Sequence, residues 1–170
     1  MRPPIPDRGI PSTPSGDWFG IIAPGYTQDD DYSCGAVSVY TVLQLRRHNA
    51  DARPLPMREY RDVYRRVKPD PDEGAGWAQL RRALPSPRYG KFRRASVRKA
   101  LAEGCAVIAG IAWPTEDDAD LQHFVTITAC DSGCRMLVLN LAGNPGKSWA
   151  WRTWDELRPG ADDRALFVPL

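Results

Sequence analysis

Polar and apolar positions along this chain follow two different rhythms, and the change falls near residue 104. From Cys34 to His48 the apolar positions Val37, Tyr40, Leu43 and Leu45, with Thr41, recur at roughly helical spacing. No glycine or proline interrupts after Gly35, so the spacing predicts a helix that Ser33 caps. A second helix fits Met57 to Val67, where Met57, Tyr60, Val63, Tyr64 and Val67 share one face. A third fits Gly76 to Leu84 and stops at Pro85; a fourth starts at Ser96 as its cap and ends at Gly104. Beyond that point the runs are short and apolar. Cys105 to Ala112 reads as a buried strand, and Phe124 to Ala129 with Arg135 to Asn140 reads as the two arms of a hairpin around Asp131-Ser132-Gly133. Ser148 to Arg152 and Arg164 to Val168 read as further strands, and Thr153 with Glu156 has the form of a capping box opening a helical turn.

Helices first and antiparallel strands afterwards define an α+β domain. Ahead of it, Trp18 to Ala23 reads as a short strand ending at Pro24-Gly25. Residues 1–17, rich in proline and without an apolar centre, read as a flexible arm rather than a secretory leader. The predicted organisation is therefore an arm over 1–17 and one folded domain over 18–170. Trp149, Trp151 and Trp154 read as core and sheet cover. Trp77, which follows Gly74-Ala75-Gly76, fits either a cleft wall or the core.

A length of 170 residues suits one domain with a full core, and 42% apolar with 26% charged residues is ordinary for a globular protein. The net charge of +2 argues against nucleic acid as a partner, although Arg81 and Arg82, with Lys91, Arg93 and Arg94, form a local basic neighbourhood. No apolar run approaches the ~18 residues of a membrane span, which points to the cytoplasm. Four cysteines, Cys34, Cys105, Cys130 and Cys134, are too few for a disulfide scaffold. Cys130 and Cys134 flank the hairpin turn and read as reduced hairpin residues. Two histidines, His48 and His123, are too few for an ordinary zinc site, so no metal or cofactor is expected.

The chemistry gathers around QDDDYSCG, residues 28–35. A thiol attacks as a thiolate, and the first turn of a helix stabilises that anion through unpaired N–H groups and the helix dipole. Cys34 occupies such a turn, and Gly35 beside it leaves room for a substrate backbone. The base that later protonates the leaving group is His123, at the entrance of HFVTITA, because His48 lies about 20 Å along the helix from Cys34. A histidine in this role needs a partner on its other ring nitrogen. In a hairpin centred on Asp131 to Gly133, His123 and Asn140 fall nearly opposite each other. Asn144, in an Asn-Pro turn, is the local rival and reads more readily as turn chemistry. Gln28 offers a side-chain amide that, with the Cys34 N–H, could stabilise the oxyanion of an acyl-transfer intermediate. Asp29, Asp30 and Asp31 read as a solvated acidic loop, or else as a rim attracting a basic substrate.

With these residues in place the chain resembles the papain-like cysteine peptidases, and among them the bacterial double-glycine leader peptidases and their standalone relatives. The likeness rests on Q-x5-C-G from Gln28 to Gly35, on H-F-V-T-I-T at His123, and on a polar residue 17 positions after that histidine. It spans about Gly20 to Val168 and includes the GCAVIAGI run before His123. It implies a papain-like fold with the nucleophile helix packed on an antiparallel sheet. It implies Cys34 as nucleophile, His123 as base, Asn140 as orienter, Gln28 in the oxyanion hole, and a peptide or protein substrate. The leader peptidases carry aspartate at the third position, commonly followed by proline. This chain has Asn140-Leu141, and papain itself uses asparagine there. No transporter segment follows, so a secretion-coupled role is not implied. The expected activity is hydrolysis of an amide through an acyl-enzyme. An acyltransferase with the same triad, a toxin-like amidase, and a silent peptide-binding module are the rivals.

Overall fold

A computed structural model describes residues 33–50, 57–112, 122–139, 149–160 and 162–170. The helices are α1 (Cys34–Asn49), α2 (Met57–Val67), α3 (Trp77–Ala83) and α4 (Arg94–Ala102). The strands are β1 (Arg88–Lys91), β2 (Cys105–Ala112), β3 (Gln122–Cys130), β4 (Met136–Leu139), β5 (Trp149–Arg152) and β6 (Arg164–Pro169). They form one antiparallel sheet of six strands in the order β1-β6-β2-β3-β4-β5. The class is α+β, as the change of rhythm predicts. The expected arm 1–17 and strand 18–23 lie outside the described residues. No described helix is long and apolar enough to cross a membrane.

The sheet is covered on both sides, which is why Cys105 to Ala112 reads as an unbroken apolar run. Ala106, Ile108, Phe124, Leu137, Leu139, Leu166 and Val168 face α1, α2 and α3. Their sequence neighbours Cys105, Val107, Ala109, Val125, Met136, Val138 and Ala165 face Val97 and Ala100 of α4. Each fully buried aliphatic side chain contributes about 1.5–3 kcal/mol by leaving water, so the two faces together outweigh any single polar contact. Helix α1 is buried on every side from Cys34 to Val42 rather than along one stripe. Its small residues (CGAVSV) allow sheet and helices to close around it.

Three local expectations change. Strand β1 was not legible, because RYGK has no apolar alternation. It exists through pairing with β6, and Gly90 makes that possible: a methyl group there would sit 1.9 Å from Cε2 of Phe167. Helix α4 begins at Arg94, not after Ser96, with Arg93 as an N-cap that makes no side-chain cap. Burial of Phe92 and Val97 sets that start. Gly104, at φ 75°, ends the helix as expected. Glu156 does accept from the Thr153 amide (2.6 Å) and hydroxyl (2.8 Å), but the segment makes turns only.

The β3–β4 hairpin also differs in register. Its loop is Ser132-Gly133-Cys134, closed by Asp131 N–H to the Arg135 carbonyl (2.9 Å) and Cys134 N–H to the Asp131 carbonyl (3.0 Å). The left-handed position falls on Cys134 (φ 62°), where glycine is the usual residue, rather than on Gly133. The Asp131 carboxylate accepts from the Arg135 amide and from its Nε, both at 2.7 Å. Further along, a bulge between Ile127 and Ala129 shifts the pairing, so Thr126 faces Leu139. The bulged Thr128 hydroxyl is buried, with no hydrogen-bond partner among the described residues. None of the four cysteines is in a disulfide.

Burial pushes the Asp131 carboxyl up, but the bonds and charge from Arg135 outweigh it and hold the group below its ordinary value. A folded value below the unfolded one means a stabilising contribution that is complete above about pH 4 and lost as pH falls through the folded value. Asp131→Asn should therefore flatten the acid limb of Tm plotted against pH; an unchanged limb contradicts the clamp. Thr128→Val removes a buried hydroxyl without a partner and should raise stability by about 1 kcal/mol in urea unfolding.

Candidate active site

Ser33 accepts the first helical bond on its carbonyl, from Val37 N–H at 3.0 Å. Ser33 is thus the N-cap residue and Cys34 the first residue of a 16-residue helix. The leading N–H groups of such a helix have no partner within it, and they surround the Cys34 position. Cys34 itself is buried, at 5% exposure.

Gly35 has a different use from the one its sequence position suggests. A methyl group on it would lie 2.9 Å from Cδ1 of Leu80, 3.0 Å from Cβ of Ala75 and 3.4 Å from Cδ2 of Phe124. The glycine admits α3 and β3 to the start of α1; that space is filled by protein, so it does not receive a substrate backbone. One turn later Ser38 Oγ donates to the Phe124 carbonyl (3.1 Å), and Thr126 Oγ1 donates to the Ser38 carbonyl (3.5 Å). Helix α1 and strand β3 therefore run in the same sense. Gly35 lies against Phe124, Ser38 spans Phe124 and Thr126, and the Cys34 end of the helix meets the His123 end of the strand.

His123 is 3% exposed, deeper than a strand entrance implies. It pairs with Ile111, whose side chain packs on the α4 side of the sheet, while the next residue, Phe124, points to α1. Strand alternation thus starts the imidazole on the side of the sheet away from α1. The segments carrying Cys34 and His123 come together at the end of the sheet rather than across one face of it.

Trp77 supports this corner. It is buried, stacks edge-on against Phe124 (centroids 4.8 Å, planes at 85°) and donates from Nε1 to the Asp162 carboxylate. The residue left open between core and cleft wall is thus core, and its partner Asp162 gave no sign in the sequence. Neither did Ser38, apart from being a polar position amid a wholly buried helix start.

Other predicted positions fall elsewhere. Gln28, Asp29, Asp30, Asp31, Asn140 and Asn144 lie outside the described residues. The near opposition of His123 and Asn140 follows from a hairpin centred on Asp131 to Gly133, and that is not the register that forms. The loop sits one residue later and the bulge intervenes, so β4 ends with Leu139 facing Thr126. His48 is in the last turn of α1. Cys105 and Cys130 belong to the opposite end of the sheet, since Val107 pairs with Ile127 and Cys130 lies seven residues, about 23 Å, along β3 from His123. Burial, and then the neighbouring Cys134, push the Cys130 thiol up, away from the thiolate. Cys34 is the cysteine that shares an end of the sheet with His123. Among the described residues no three His, Cys, Asp or Glu side chains are grouped to hold a metal ion.

No protein-family model and no curated protein matches this chain. What the corner can do is read from its chemistry: a thiol at a helix start, an imidazole-bearing strand end beside it, and a rigid support of Trp77, Phe124 and Leu80 behind both.

Gly35→Ala tests that support. Alanine gains about 1 kcal/mol in helix propensity, but overpacking a filled core costs about 1–3 kcal/mol. A net loss of about 1 kcal/mol is expected in denaturant unfolding, with slower alkylation of Cys34; a gain in stability contradicts the close approach.

Proposed function

We propose that this protein is a papain-like thiol hydrolase that cleaves an amide, in a peptide or protein, through an acyl-enzyme on Cys34. The observation that carries the reading is the contact of Gly35 with Phe124, which brings the helix start at Cys34 to the strand end at His123. In this reading the Cys34 thiolate attacks the carbonyl carbon, and the carbonyl oxygen takes up the negative charge. The Cys34 N–H and the Gln28 side chain donate to that oxygen. His123, protonated in the resting pair, gives its proton to the leaving amine and then removes one from the water that releases the acid. Asn140 holds the ring. In its support, the chain leaves β4 at Leu139 heading toward the His123 end of β3, and Asn140 is the next residue. The reading demands that the imidazole turn round the end of the sheet to face Cys34. An acyltransferase has the same intermediate, with an amine in place of the water.

One observation favours a second reading, a peptide-binding module without turnover: His123 is buried and starts on the Ile111 side of the sheet. A thiol-directed acyl probe separates the two. Hydrolase chemistry predicts labelling of Cys34 alone, abolished in Cys34→Ala and reduced at least about a hundredfold in His123→Ala, in line with loss of a general base. Asn140→Asp should stay within about tenfold and shift the alkaline limb of labelling upward in pH, because a carboxylate favours the imidazolium. Asn140→Ala should lose more. Equal labelling of wild type and His123→Ala across the pH range leaves the binding module as the reading.

A further inference from the structure

The chain's charge is segregated in a way its net value hides. No lysine or arginine occurs between Arg8 and Arg46, or between Lys99 and Arg135, so the cations concentrate in the intervening stretch. The fold carries many of them to one edge of the sheet. Strand β1 is the terminal strand, paired on one side with β6, and no described residue pairs with its other side.

Part of the outer backbone of that edge is unpaired among the described residues; the Lys91 carbonyl is taken by Arg93 N–H at 2.9 Å. Phe92 N–H donates to the Asp163 carbonyl at 3.0 Å, so it points toward β6. N–H directions alternate along a strand, so the amides of Tyr89 and Lys91 point outward. Tyr89 is 44% exposed, the one large apolar side chain so placed among the described residues, and the Arg81 guanidinium lies 5.2 Å over its ring. Tyrosine and arginine presented together are the residues that anchor protein interfaces.

Charge lines both faces of this edge. Tyr89 pairs with Leu166, on the side of α1 and α3, where Arg81 and Arg82 stand at the end of α3. Arg88 lies on the α4 side, where it meets Glu103 at 3.5 Å, and Arg93 follows two residues after the end of β1. Lys91 meets Asp163 at 3.6 Å. These two pairs are exposed and weak. Arg82 and Arg93 are exposed and have no acidic partner among the described residues.

We infer that the outer edge of β1 docks an acidic, extended polypeptide segment of a partner protein, which adds to the sheet as a further strand. Its backbone bonds to the Tyr89 and Lys91 amides, and carboxylates at successive positions meet arginines on either face. Two copies of this edge repel one another, so the charges that prevent β1 from pairing with itself are those that select an acidic strand. A nucleic acid would satisfy the charges but not the outward amides.

A fluorescent peptide repeating Glu-Glu-Val-Val, which presents carboxylates on both faces of a strand, its counterpart with lysine for glutamate and a single-stranded DNA of equal length test this against the full chain. The acidic peptide should bind, more weakly as salt rises, and should slow hydrogen exchange at Tyr89 and Lys91. The lysine peptide should not bind. Arg81→Glu with Arg88→Glu should weaken binding by at least about tenfold at an unchanged Tm, and should leave acyl-probe labelling of Cys34 as in wild type. DNA binding as tight as the acidic peptide, with no protection of the two amides, overturns the inference in favour of a general polyanion surface. Amides already protected in the free protein, or no binding of the acidic peptide at low salt, also overturn it.

Discussion

Close packing of α1 on β3 is the constraint on which the candidate site depends. It needs a residue without a side chain at position 35, because Leu80, Ala75 and Phe124 already occupy the space a methyl group would take. It also needs Ser38 in the next turn, whose hydroxyl caps the Phe124 carbonyl while its own carbonyl receives Thr126. Net, each of these bonds is worth about 0.5–1.5 kcal/mol, less than the burial of one valine of the same helix. Their role is to set position: apolar burial holds helix and sheet together in many registers, and directional bonds select one of them. The selected register is the one that delivers Cys34 to the His123 end of the strand.

From that seam the remaining structure is support. Helix α3 reaches the same corner through Leu80 and Trp77, and Trp77 ties it to the segment before β6 through Asp162. That segment runs beside the end of β2, where Ala112 N–H bonds the Arg158 carbonyl (3.0 Å) and Gly160 N–H the Gly110 carbonyl (2.9 Å). The corner is thus braced by α1, α3, β2, β3 and the approach to β6, elements that lie far apart in the chain. The burial of both Cys34 and His123 follows from this bracing.

Charge and candidate chemistry are divided along the chain. Candidate catalytic residues lie in stretches without a single cation, while the basic residues gather from α2 to α4 and around the β1 edge. On the proposed reading, an acidic segment held at β1 belongs to a partner or to a part of the substrate remote from its scissile bond.

By itself, the sequence determined the class of fold and the pair of residues to examine. Helical spacing after Cys34 and short apolar runs after Gly104 are local properties, dictated by the periods of helix and strand, and they survive folding. The helix start after Ser33, with Gln28 six residues before it, is what marks Cys34 out from the other cysteines as the candidate nucleophile. Tertiary structure alone decided the rest. Strand β1 exists only because β6 pairs with it; the hairpin register depends on a bulge at Thr128 and a left-handed Cys134 that no local pattern announces. The use of Gly35 was likewise invisible, since a glycine's lack of a side chain is the same in sequence whether the space goes to a ligand or to Leu80 and Phe124. Which side of the sheet His123 leaves from is a matter of pairing with Ile111, and the side-chain period of two makes a single-residue shift of register sufficient to reverse it.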